Sequence, residues 1–176
     1  TFDCHFLNEE GEVRYHNLLI QNITMSKALL EHARKFFGGE PFEVIAPDSG
    51  AAYLVKDAGG KFMQKIRKEY DKGVIGYRDI ETLYCEFDVK DKNVLLLDDM
   101  ISTGSTIIKA LEKMRVCGAK RVLAAATHGL FLYNCLDKIR VLADGIFSTD
   151  TIPSDQAEVS IRPRLETLVS DTPKLF

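Results

Sequence analysis

Residues 94–106 read Val-Leu-Leu-Leu-Asp-Asp-Met-Ile-Ser-Thr-Gly-Ser-Thr, and no other stretch restricts the fold of this chain as tightly. The four apolar residues 94–97 have the length and character of a buried strand. Two adjacent carboxylates, Asp98 and Asp99, stand at its C-terminal end, and a loop of small hydroxyl residues with one glycine leads at once into an amphipathic helix. In an open α/β sheet, ligands bind where a strand ends and a helix begins. Backbone N–H groups, the hydroxyls of Ser102, Thr103, Ser105 and Thr106 and the positive end of the helix together make an anion cradle. Two acids beside such a cradle suit a ligand that also carries vicinal hydroxyls or Mg²⁺, both of which match carboxylate oxygens. A sugar phosphate with magnesium satisfies both halves.

The rest of the chain alternates strands and helices around this unit. Met25, Ala28, Leu29, Ala33 and Phe36 recur at helical spacing, which predicts a helix over residues 24–37, capped by Thr24 and stopped by Gly38 and Gly39. Residues 42–46 form a short apolar strand. The turn Pro47-Asp48-Ser49-Gly50 leads into a second helix over residues 51–58, and residues 62–66 read as a weak strand. Residues 65–81 are polar and irregular, the kind of long loop that in a compact domain carries function. A helix over residues 105–116 ends at Gly118, placed for a C-terminal cap. Residues 121–126 and 145–148 read as further buried strands, with a helix over 134–140 between them and a short helix from residue 163 on. This alternation predicts an α/β fold with a mostly parallel central sheet flanked by helices. Polar turns follow several strands, bringing Asp48, Asp98, Asp99, His128 and Asp150 to one sheet edge. Each has a plain structural role as well: an Asx turn at Asp48, helix caps in the hydroxyl loop, a backbone hydrogen bond at His128.

The length of 176 residues suffices for one domain with a proper core. A net charge of −3 gives no reason to expect nucleic acid or an anionic membrane as partner. No apolar run is long enough to span a bilayer and no secretory leader is visible. Cys4, Cys85, Cys117 and Cys135 are scattered without a CxxC pair, which fits reduced core thiols in a cytoplasm. The chain opens on Thr rather than Met, so the native protein is expected to begin earlier.

The motif at residues 94–106 resembles the phosphoribosyl pyrophosphate signature of type I phosphoribosyltransferases. Pro47-Asp48-Ser49-Gly50-Ala51, Ala126-Thr127-His128-Gly129, Thr149-Asp150-Thr151-Ile152-Pro153 and Asp3-Cys4-His5 look like the matching segments of the ribose-phosphate pyrophosphokinase family, in the same order. The resemblance implies a single domain of type I phosphoribosyltransferase fold over residues 1–176, equivalent to the C-terminal half of a two-domain enzyme. It implies Mg²⁺ as cofactor, ATP and ribose 5-phosphate or phosphoribosyl pyrophosphate as ligands, and a homo-oligomer. By position, Asp98 and Asp99 would hold the ribose hydroxyls, directly or through Mg²⁺, and Ser102, Thr103, Gly104, Ser105 and Thr106 the 5-phosphate. His5 and Asp48 would be magnesium ligands. Lys65, Arg67 and Lys68 would belong to a basic loop closing over the transferring group. Two departures keep a transferase acting on phosphoribosyl pyrophosphate and a base in view. Residues 66–73 look as much like the basic loop of orotate-type phosphoribosyltransferases, and Ser102 stands where many synthetases have an acid. A non-catalytic, synthetase-like binding or regulatory module is the third reading.

Overall fold

A computed structural model describes residues 1–5, 7, 9–67, 81–84 and 88–171, with the backbone alone at 65–67, 81–84 and 171. Strands β1 (Gly11–Tyr15) and β2 (Leu18–Asn22) form an antiparallel hairpin ahead of helix α1 (Ser26–Phe36). Then come β3 (Phe42–Ala46), α2 (Ala52–Lys56), β4 (Lys61–Phe62), β5 (Gln64–Arg67) and β6 (Glu81–Tyr84). The second half holds β7 (Asn93–Ile101), α3 (Ser105–Val116), β8 (Arg121–Gly129), α4 (Cys135–Leu142), β9 (Gly145–Thr149), β10 (Ala157–Val159) and α5 (Arg162–Asp171).

Six strands make the central sheet in the order β10-β9-β8-β7-β3-β4, every described pairing parallel. From β3 the chain works outward to β4. From β7 it works outward the other way, through β8, β9 and β10. The direction reverses between β3 and β7, and a reversal of this kind opens a crevice at the carboxyl ends of the two strands.

The run 94–97 alternates between faces with the period of a strand. Val94 and Leu96 pack on the side of α3 and α4, with Ile107, Leu111, Met114 and Ile139. Leu95 and Leu97 pack on the side of α1 and α2, with Leu29, Ala33, Leu54 and Val55. Both sides are dry, which is why the strand shows no polar alternation.

The structure corrects several expectations. The acids do not end their strand: β7 continues through Asp98, Asp99 and Met100 to Ile101, because β8 runs equally far and pairs Asp98 with Ala126 and Ile101 with Gly129. The strand read over 62–66 is two. Met63 is fully buried and its N–H binds the Ala46 carbonyl, after which β5 leaves the sheet to pair with β6. Helix α1 starts after Met25, and Thr24 instead accepts the Ser26 N–H at 3.1 Å. The hairpin β1–β2 and the short β10 carry no clear sequence signal. Lys65 and Arg67 stand on β5; Lys68, the rest of residues 68–80 and Cys85 lie outside the described residues.

Candidate functional site

β7 outruns β3, whose last partner on it is Leu96, while β8 accompanies it to Ile101. The backbone at Asp98 and Asp99 is therefore tied on one flank and faces the crevice on the other. Both carboxylates reach the same crevice, and their side chains share a hydrogen bond. Both are almost wholly buried, and Asp98 Oδ1 accepts the Asp99 N–H at 3.0 Å.

The hydroxyl loop closes the crevice from the α3 side. Gly104 is the N-terminal cap of α3 with φ of 75°, left-handed geometry in which a Cβ is strained. A Cβ there would also come within 2.8 Å of the Cys135 Cβ. Beneath the loop, the Cys135 thiol donates to the Ser102 carbonyl at 3.7 Å, and burial pushes that thiol's pKa up, so it stays a neutral packing group. As at any helix start, the first-turn N–H groups of α3 have no intrahelical acceptor, and Ser105, Thr106 and Ile107 line the crevice.

The result is a cavity of about 180 Å³ lined by His5, Asp48, Asp98, Asp99 and the loop that holds Ser102, Thr103, Gly104, Ser105 and Thr106. The four groups that the resemblance assigns to sugar and metal, His5, Asp48, Asp98 and Asp99, therefore share one space with the whole hydroxyl loop. His5 arrives from the N-terminal segment, and its Nδ1 lies 2.8 Å from Asp99 Oδ2. Asp48 makes the Asx turn, accepting the Gly50 N–H at 2.9 Å, and its charge also acts on Asp98. Desolvation, then Asp99, then Asp48 push the Asp98 carboxyl up to about 8. Crowded, buried acids of this kind favour a ligand that brings positive charge or hydroxyl donors.

His128 and Asp150, placed on the same edge by sequence, do not line the cavity. His128 Nε2 sits 2.8 Å from the Phe2 carbonyl and so carries the proton there, while Nδ1 meets the Thr151 hydroxyl at 2.9 Å. Asp150 accepts from the Ile161 N–H and the Ser160 hydroxyl, tying a turn to the start of α5. Two neighbours went unread. Tyr53 points its hydroxyl at Asp3, and burial, with the charges of Asp3 and Asp99, pushes its ionisation far up, so it stays a donor. Thr127 donates to Asp3 at 2.6 Å. Only the position of Thr127 at a strand end hinted at this.

The donor set suits magnesium. Its acidic members are oxygen ligands, and among the described residues no three His, Cys, Asp or Glu side chains converge as a protein-only metal cage. Mg²⁺ typically takes one or two carboxylates and completes its shell with water and substrate phosphate. The acids fit a cation that arrives with its ligand.

A family model described as phosphoribosyl transferase domain matches residues 14–138. Ribose-phosphate pyrophosphokinase of Pyrococcus furiosus is 35% identical over 149 residues, covering 85% of this chain and 52% of that protein. The Methanopyrus kandleri protein of the same name is 34% identical over 169 residues, covering 93% and 55%. Among solved structures, phosphoribosylpyrophosphate synthetase from Mycobacterium smegmatis superposes with a TM-score of 0.67 at 27% identity, over 85% of this chain and 51% of that one. An adenine phosphoribosyltransferase shares the fold alone, at a TM-score of 0.52 and 18% identity, over 70% of this chain and 76% of that one. The chain thus spans about half the length of the curated relatives it matches.

Proposed function

The chain belongs to the phosphoribosyl transferase domain family, and from that premise we propose that it is the sugar-phosphate half of a ribose-phosphate pyrophosphokinase. The reaction is transfer of a diphosphoryl group from ATP to the 1-hydroxyl of ribose 5-phosphate. The observation that carries the proposal is the shared cavity: an unsatisfied helix N-terminus ringed by hydroxyls at one end, and the Asp48, Asp98, Asp99 and His5 cluster at the other. A phosphate suits the first group of residues and a vicinal diol or cation the second.

In this reading Ser102, Thr103, Ser105 and Thr106 and the N–H groups around Gly104 bind the 5-phosphate. Asp98 and Asp99 accept hydrogen bonds from the ribose hydroxyls and orient the sugar. Asp48 and His5 hold the cation, which neutralises charge on the diphosphate when bound. Lys65 and Arg67 on β5, with Lys68, stabilise the transferring group. The chemistry needs no protein nucleophile, because positioning and electrostatics supply the rate.

The test is to incubate the protein with ribose 5-phosphate and MgATP and measure AMP. Formation of AMP without any nucleobase supports the kinase reading. Turnover only with phosphoribosyl pyrophosphate and a base would replace it by a phosphoribosyltransferase. Binding of ribose 5-phosphate without either turnover would leave a binding or regulatory domain.

A further inference from the structure

Residues 1–5 lie across the carboxyl ends of the sheet as a strap, stitched on both sides. Phe2 bridges Ile23 in parallel, and the Asp3 N–H binds the Ile23 carbonyl at 3.0 Å. On the other side His128 Nε2 donates to the Phe2 carbonyl. At the centre of the strap is Asp3, which is fully buried and has a φ of 35°, a positive value that Asp tolerates better than most side chains. Oδ2 accepts the Thr127 hydroxyl at 2.6 Å and the Met25 N–H at 2.8 Å, and Oδ1 faces the Tyr53 hydroxyl at 3.4 Å. One carboxylate thereby joins the end of β8, the start of α1 and the helix that follows Asp48.

Two residues on, His5 contrasts with it. Its side chain is 70% exposed, against 4% for its partner Asp99. A contact with one member so open to solvent contributes at most about 1 kcal/mol. The strap that carries His5 contributes to its placement through its own bonds to Ile23, Met25 and Thr127.

We infer that Asp3 is a positioning residue that clamps the N-terminal strap to Thr127, Tyr53 and Met25 and so sets the His5 imidazole against Asp99 at the cation end of the cavity. The inference rests on the reading of the cavity given above for its functional consequence, but its geometry can be read without any ligand. Asp3 touches no substrate. Its effect passes through His5, so its loss and the loss of His5 are one event.

The experiment compares wild type with Asp3→Asn, His5→Ala and the double variant, with circular dichroism and ribose 5-phosphate affinity in the absence of cation as controls for an intact fold and cradle. The first measurement is the ¹H–¹⁵N spectrum of the histidine side chains without metal. Asp3→Asn moves the His5 signal toward that of free histidine. The second is Mn²⁺ affinity in the presence of ribose 5-phosphate, by calorimetry. Asp3→Asn weakens it by about 10- to 100-fold, the usual cost of losing a residue behind a ligand. The double variant is no weaker than His5→Ala, because the two substitutions remove the same interaction. If Asp3→Asn fails to fold, Thr127→Val stands in for it, and Thr127→Ser, which keeps the hydroxyl, restores the wild-type signal. An unmoved His5 signal, or losses that add in full, overturns the inference. A wild-type protein that binds neither ribose 5-phosphate nor Mn²⁺ overturns the reading of the cavity instead, while the metal-free spectrum still decides on Asp3.

Discussion

Asp98→Asn should make the ligand-free protein more stable, and by an amount that grows with pH. Burial, then Asp99 and Asp48, hold the Asp98 carboxyl near 8 instead of its ordinary 3.8. A raised carboxyl binds its proton more tightly folded than unfolded. Its contribution to stability is therefore whole below about pH 3.8 and is lost as pH rises through about 8. The full shift sets a ceiling of about 6 kcal/mol, at about 1.4 kcal/mol per pH unit. Asparagine mimics the protonated acid. Its oxygen can still accept the Asp99 N–H that Asp98 Oδ1 takes at 3.0 Å, and its amide can still donate to the Asp99 carboxylate. The two proteins should match near pH 4 and diverge by at least about 2 kcal/mol between pH 5 and pH 8, allowing for relaxation around the buried pair. Urea unfolding of both proteins at half-unit steps from pH 4 to pH 9 measures the difference, and groups common to both cancel. Parallel curves would refute the argument, since they would mean that Asp98 titrates alike in the folded and unfolded chain.

Replacing both acids, with Asp98→Asn and Asp99→Asn together, should abolish ribose 5-phosphate binding in calorimetry while leaving the far-ultraviolet spectrum intact; surviving affinity would remove these residues from the site. Gly104→Ala should cost roughly 1–3 kcal/mol in urea unfolding, because it combines a φ of 75° with a Cβ only 2.8 Å from that of Cys135. The displaced loop should also bind phosphate more weakly. An alanine variant as stable and as tight-binding as wild type would show that the turn is not held as described.

Much of this architecture is legible in the chain because local signals agree there. Residues 94–97 read as a buried strand, residues 105–116 match α3 residue for residue, and Gly118 sits where the chain turns left-handed after it. The hydroxyl loop and its acids were found together because their function depends on adjacency. What was lost depends on distant partners. Nothing in Asp98 or Asp99 says that their backbone stays extended, since that is decided by β8 running as far as Gly129. The hairpin of β1 and β2 leaves Leu18 and Leu19 exposed, so it lacks the clean alternation that marks a half-buried strand. Asp3 read as part of a short motif, yet its importance comes from Thr127, 124 positions away along the chain. His128 makes the backbone hydrogen bond read for it from the sequence, and Asp150 likewise ties its own turn rather than lining the cavity. A polar residue at the right sheet edge is more often holding that edge together than facing a ligand.

The strap also has a consequence in time. Asp3 and Thr127 are 124 positions apart, and His5 and Asp99 are 94. On the ribosome the strap emerges long before the strand end it must clamp, and contacts of such long range form late, after the loop-closure cost between them has been met. The sheet and its hydroxyl loop can be in place while the end of the cavity that His5 joins is still unassembled. Hydrogen exchange should then find the Asp3 and Cys4 amides opening in a cheaper, separate step than those of β7 and β8. On the proposed function, the end of the cavity read as the phosphate cradle would be complete before the end that His5 joins.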